Sequence, residues 1–194
     1  MKKLLLGSFL SLMVFTAANA QNIEIIPKAG ISISKQDIKN VSGEKFKVGF
    51  QGGVGVNIFT GLGGLSIQPE LNFVSKGTRF KTAGKSTDFD LNYLEIPVLA
   101  KYSFGPVYIN AGPSIAMMLD KEAKFNRFYG TKPKRFELGM QVGAGLALPA
   151  GPGKFLVDAR YVVGLSDIGK NLKAKNQGMT ASIGYAFPLG SKSK

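Results

Sequence analysis

From Phe46 the chain reads FKVGFQGGVGVNIF, a strict alternation of apolar and polar positions. Phe46, Val48, Phe50, Val54, Val56 and Ile58 share one face; Lys47, Gly49, Gln51, Gly53, Gly55 and Asn57 share the other. A period of two is the mark of a strand with one face in an apolar medium. The pattern recurs in LSIQPELNF, where Leu65, Ile67, Leu71 and Phe73 oppose Ser66, Gln68, Glu70 and Asn72. It recurs in FELGMQVGAGLAL, where Phe136, Leu138, Met140, Val142, Ala144, Leu146 and Leu148 oppose Glu137, Gly139, Gln141, Gly143 and Gly145. Eight such segments are present, over roughly residues 24–35, 46–59, 65–76, 90–103, 107–119, 136–148, 155–166 and 178–188 by this criterion. No helical period follows residue 20.

The connections between segments alternate in length. Residues 36–45, 77–89, 120–135 and 167–177 are long and polar. Thr60-Gly61-Leu62-Gly63-Gly64, Phe104-Gly105-Pro106 and Pro149-Ala150-Gly151-Pro152-Gly153 are short and carry turn residues. This layout predicts an all-β fold, an eight-stranded antiparallel transmembrane β-barrel with short periplasmic turns and long extracellular loops. A soluble barrel would place its apolar residues inside and a Lys- and Glu-rich surface outside. Here the non-apolar face is instead dominated by Gly, Ser, Asn and Gln, which suit a narrow lumen.

That inner face carries few charges. Lys28, Glu70, Glu95, Lys101, Asp158 and Arg160 are expected to interlock in the lumen as hydrogen-bonded ion pairs, with Lys47 and Glu137 on the same face. Aromatic residues fall at strand ends, as girdles at the two headgroup levels require. Phe46, Phe73, Phe89 and Phe136 mark the outer end; Phe59, Tyr102, Phe104, Tyr108, Phe155 and Phe187 mark the periplasmic end. Pro27, Pro69, Pro97 and Pro113 lie inside strands and call for bulges or lumen water, because they cannot donate to a ladder. The Gly52-Gly53-Val54-Gly55 cluster is read as easing strand curvature.

Composition removes whole classes of chemistry. The chain has no Cys and no His, so disulfides, zinc-thiolate sites and His-dependent hydrolysis are excluded. Glu70 and Glu95 could serve as an acid and base, but pairing with Lys28, Lys101 and Arg160 is the expectation. The glycine cluster opens no helix and is no phosphate loop. No enzyme activity and no cofactor are expected.

Lys2 and Lys3, an apolar run over Leu4–Ala17 and Ala18-Asn19-Ala20 have the form of a secretory signal peptide. Residues 1–20 are therefore expected to be removed, leaving residues 21–194 as one barrel domain in the outer membrane. Lys and Arg number 25 against 12 Asp and Glu, a net charge of +13. Without Lys2 and Lys3 of the expected signal peptide the net charge is +11, and +10 of that lies in the four long connections and their flanks, residues 35–47, 76–90, 120–135 and 166–177. The 120–135 connection is the strongest contact candidate, with Lys121, Lys124, Arg127, Lys132, Lys134 and Arg135 interleaved with Phe125, Phe128 and Tyr129. Cations among aromatics suit outer-membrane lipid, the phosphates and acidic sugars of lipopolysaccharide, or an acidic envelope protein. Nucleic acid is not an expected partner.

Asn92-Tyr93-Leu94-Glu95-Ile96-Pro97-Val98-Leu99-Ala100-Lys101-Tyr102 resembles the YLEIP-type central strand of the PorT-like small outer-membrane barrels of Bacteroidetes. Residues 67–77, IQPELNFVSKG, and 111–114, AGPS, resemble the neighbouring strands of that family. The resemblance implies an eight-stranded outer-membrane barrel and, through the family's namesake, a link to secretion. One departure stands out. Such barrels usually end on an aromatic residue, whereas Phe187 is followed by Pro188-Leu189-Gly190 and the basic Ser191-Lys192-Ser193-Lys194. Two function classes follow. One is a structural or interaction barrel acting through its loops; the alternative is a narrow channel or small-molecule binding barrel.

Overall fold

A computed structural model describes residues 23–38, 44–82, 85–120, 122–170 and 173–189. The expected signal peptide and Lys121 lie outside these residues. Eight long strands run β1 Ile23–Ile38, β2 Lys47–Phe59, β3 Leu65–Thr82, β4 Lys85–Phe104, β5 Val107–Met118, β6 Phe136–Ala150, β7 Gly153–Gly164 and β8 Ala174–Leu189. A two-residue piece, Glu44–Lys45, precedes β2 and pairs with Phe80 and Arg79 of β3. Each strand pairs antiparallel with the next, and β1 closes on β8 from Ile23↔Leu189 to Ile38↔Ala174. The sheet is a closed eight-stranded barrel without an edge.

Alternation sorts the side chains as the pattern requires. Phe50, Ile67, Leu71, Ile96, Ile109, Ile115, Leu138, Val142 and Ile183 stand exposed on the outside. Gln51, Asn57, Gln68, Asn72, Asn110, Gln141 and Ser182 are buried inside. An exposed apolar wall around a buried polar interior is the inverse of a soluble protein and fits a surrounding of lipid. Two aromatics leave the expected girdle. Tyr108 is buried in the lumen, and Phe59 lines the inner mouth at the short-turn end. Their register positions are odd-numbered in β2 and even-numbered in β5, the phases that point inward there.

Two of the long connections are more ordered than the loss of alternation suggests. Residues 77–82 and 85–89 are not loop: β3 and β4 stay paired from Gly77↔Asp90 to Thr82↔Lys85. The backbone ladder continues there although the alternation of apolar and polar residues fades. The 120–135 connection contains a helix, α1 Glu122–Tyr129, where no helical period was expected. Glu122 in its first turn and Arg127 in its last complement the helix dipole. Gly130, at φ 67°, ends it by donating its N–H to the carbonyl of Asn126 at 2.7 Å.

The four strand prolines need no bulge, since every strand pair keeps one register throughout. Instead each proline faces an interruption in the pairing with one neighbour. Pairing with β8 skips Ile26 and Pro27, and pairing of β2 with β3 skips the positions opposite Gln68 and Pro69. Pairing of β3 with β4 skips those opposite Ile96 and Pro97, and pairing of β4 with β5 skips those opposite Gly112 and Pro113. On its other side each proline remains paired, with Val54, Val98, Ser114 and Met140 respectively. The missing donors are thus turned toward local openings of the ladder.

The inward glycines make room for the lumen side chains. A Cβ on Gly55 would sit 3.3 Å from Glu70 Cγ, and one on Gly143 would sit 2.6 Å from Arg160 Cγ. At Gly145 it would lie 2.3 Å from the Tyr108 ring and 2.4 Å from the Val157 carbonyl oxygen. Gly145→Val therefore overpacks the lumen and lowers stability by about 1–3 kcal/mol. The readout is a lower temperature for conversion of the unboiled gel band to the boiled position.

Candidate functional site

Strands β1, β3 and β7 bring Lys28, Glu70, Asp158 and Arg160 together at mid-barrel. Glu70 is the hub. It accepts from Lys28 Nζ at 2.5 Å, from the two terminal nitrogens of Arg160 at 2.8 and 2.9 Å, from Gln68 at 2.6 Å and from Asn72 at 2.9 Å. The planar guanidinium spans both Glu70 oxygens, the bidentate geometry that favours Arg over Lys. Arg160 Nε also lies 2.5 Å from Asp158 Oδ1. Asp158 Oδ2 accepts from the Tyr108 hydroxyl at 3.0 Å and from Asn110 at 2.9 Å. Four side chains from three sequence-distant strands thus form one cluster, with carboxylates and cations matched in number.

Glu95 joins through a neighbour. Its Oε1 accepts from Gln141 at 2.8 Å, and Gln141 Oε1 accepts in turn from Arg160 at 3.5 Å. Glu95 Oε2 lies 3.3 Å from Lys76 Nζ. Lys76 is buried here, although its place in the polar 76–90 stretch suggests a loop cation. Its inward direction follows from strand phase, since Lys76 is four residues after Asn72 on the same face. Glu137 accepts from Asn176 at 2.7 Å, and Asn176 also donates to the Tyr93 hydroxyl at 3.3 Å. Lys101 stands apart from the cluster. Its Nζ lies 4.0 Å from the centroid of the Tyr108 ring, toward the short-turn end.

A second constellation forms at the long-loop end. Phe125 of α1 is wholly buried among Leu91, Tyr93, Ala116, Met118, Ile168 and Ala174, with Tyr129 against it. The Tyr129 hydroxyl hydrogen-bonds Gln36 of β1. Phe125 and Tyr129, four residues apart on the helix, cap the barrel rather than facing outward with the cations. Arg127, Lys132, Lys134 and Arg135 are exposed and form no ion pair among the described residues. An isolated bridge, Pro133↔Gly169, ties this connection to the one after β7. Lys134 N–H donates to the Ile168 carbonyl at 2.8 Å, and Lys170 N–H donates to the Lys132 carbonyl at 3.0 Å. The bridge gathers Lys132, Lys134 and Lys170 on one rim. The pairing between these two connections carried no signal in the sequence.

A family model described as outer membrane protein beta-barrel domain matches residues 19–170. No curated protein matches. Among solved structures, Ail, the attachment invasion locus protein of Yersinia pestis, in complex with the heparin analogue sucrose octasulfate, is 18% identical with a TM-score of 0.48. That comparison covers 86% of this chain and 99% of Ail. Neisserial surface protein A is 15% identical with a TM-score of 0.47, covering 82% of this chain and 95% of that one. The N-terminal barrel domain of Pseudomonas aeruginosa OprF is 12% identical with a TM-score of 0.41, covering 86% and 98%.

Proposed function

Because the chain belongs to the outer membrane protein beta-barrel domain family, we propose that it is an interaction barrel whose cationic outer rim binds anionic glycolipid. The carrying observation is the bridged rim itself. Lys132, Lys134 and Lys170 are fixed side by side by backbone hydrogen bonds, and Arg127 and Arg135 stand exposed on the same connection. Fixing the cations in advance reduces the ordering entropy that binding must overcome. Each is worth about 1 kcal/mol against an anionic surface, less as salt screens it. Arg adds bidentate contact with phosphate. Lys121 and Lys124 add charge to the same stretch of sequence.

The lumen side chains favour this reading over a channel. The charged cluster crosses the interior at mid-barrel, and α1 closes the outer mouth. The YLEIP resemblance supports a finer assignment to the PorT-like barrels of Bacteroidetes and, with it, an association with secretion. An export signal over residues 1–20 belongs to the same proposal.

Charge reversal at Arg127, Lys132, Lys134 and Arg135 together provides the test. Binding of purified lipopolysaccharide to the detergent-folded barrel should weaken by at least about tenfold at low salt, given the per-charge figure. The salt dependence should flatten while heat-modifiable gel migration is retained. Unchanged affinity and salt dependence would leave the rim a merely solvated face.

A further inference from the structure

At the short-turn end the lumen widens into a vestibule of about 340 Å³. Glu24, Asn57, Phe59, Lys101, Ser103 and Lys154 are among the residues that line it. Its polar groups are not all satisfied within the chain. Lys101 is only 3% exposed, yet among the described residues no carboxylate or carbonyl accepts from its ammonium, which rests on the Tyr108 ring. Glu24 and Asp158 act on it only at a distance, and a buried cation without a directly paired acceptor is costly even on an aromatic face. Asn57 is buried too. Its Nδ2 donates to Glu24 at 3.0 Å, which leaves its Oδ1 as an acceptor with no partner. Glu24 is already matched, by Asn57 and by Lys154 Nζ at 2.8 Å.

One cavity therefore presents an unmatched cation, an unmatched acceptor and the Ser103 hydroxyl. We propose that the vestibule is a binding site, open to the periplasm, for a small oxyanion that also carries a hydrogen-bond donor. The anion would answer Lys101 and the donor would answer Asn57 Oδ1. Glu24 beside them disfavours ligands of high negative charge. Hydroxycarboxylates and hydrogen phosphate share this chemistry. The proposal stands independently of the outer rim, which lies at the opposite end of the barrel.

Titration calorimetry on the detergent-folded barrel at low ionic strength, with glycolate, acetate, inorganic phosphate and sulfate, tests it. Glycolate or phosphate should bind saturably, and the tighter of the two identifies the source as organic acid or phosphate. Acetate and sulfate have no O–H to offer at neutral pH and should bind about fivefold or more weakly, the usual worth of one hydrogen bond. Lys101→Met should weaken binding by at least about tenfold, as loss of a charge-assisted hydrogen bond does. Lys101→Arg should keep it. Ring-labelled Tyr108 in the wild-type barrel gives a readout that needs no variant, because its resonances should shift on titration with the anion. The site is refuted if no anion binds saturably, if Lys101→Met binds as tightly as wild type, if the donor-free anions match their partners, or if Tyr108 does not respond.

Discussion

Glu70→Ala should lower the unfolding free energy of the barrel by about 3–5 kcal/mol, the cost of breaking a buried ion pair from one side. The direction follows from what remains. Lys28 and Arg160 would both be left buried, with Asp158 as the nearest carboxylate to Arg160 and no direct partner for Lys28. Gln68 and Asn72 would lose their acceptor as well. Equilibrium urea unfolding in detergent micelles measures the loss. Replacing Lys28, Glu70 and Arg160 together by Met, Leu and Met, with Asp158→Asn to remove the charge that Arg160 balanced, should recover most of it, because an uncharged substitute for a whole buried charge group is often neutral or stabilising. A loss under about 1 kcal/mol for Glu70→Ala would show that water reaches the cluster and screens it, as it does for exposed pairs.

Phe125→Ala should free the outer cap while leaving the barrel closed. Truncating a buried Phe costs about 3–5 kcal/mol, and here that cost falls on the docking of α1. With each 1.4 kcal/mol worth a factor of ten, the undocked population should rise by about two orders of magnitude or more. Limited trypsin digestion should therefore accelerate at Arg127 and Lys134, with the heat-modifiable band otherwise intact. Tyr129→Phe removes the hydroxyl that hydrogen-bonds Gln36 while keeping the ring, and should shift cleavage by much less. Equal protease resistance in Phe125→Ala and wild type would mean that the cap is held from elsewhere.

The barrel was legible in the sequence because period-two alternation reports on the two faces directly. FKVGFQGGVGVNIF and FELGMQVGAGLAL each place their outward and inward residues correctly along a full strand. The phase also assigns Lys28, Glu70, Glu95, Lys101, Asp158 and Arg160 inward, but it does not say which partners they meet. That depends on register between strands as distant as β3 and β7. Hence the Glu70–Arg160 contact and the isolation of Lys101 appear only in three dimensions. Lys76 was obscured by its polar neighbours, since charge composition outweighs phase where apolar residues run out. The α1 helix is short, and its sequence marks, the Phe125–Tyr129 spacing, the end charges Glu122 and Arg127 and the terminating Gly130, are too few to stand out within a polar connection. Bulges were a reasonable expectation for the prolines, yet the ladder opens beside each one instead.

Closure of β1 on β8 has a consequence for the order of biogenesis. The pair Ile23↔Leu189 joins the first strand of the barrel to the eighth, so the cylinder cannot be sealed until the eighth strand has been delivered. Until then, Arg160 on the seventh strand is separated from Glu70 on the third, which it meets across the finished lumen. A half-made sheet entering the bilayer would expose these groups to hydrocarbon, where no backbone or charged group is tolerated unsatisfied. Insertion and sealing must therefore proceed as one concerted event. The same charges that stabilise the finished lumen make stepwise entry of single hairpins prohibitive.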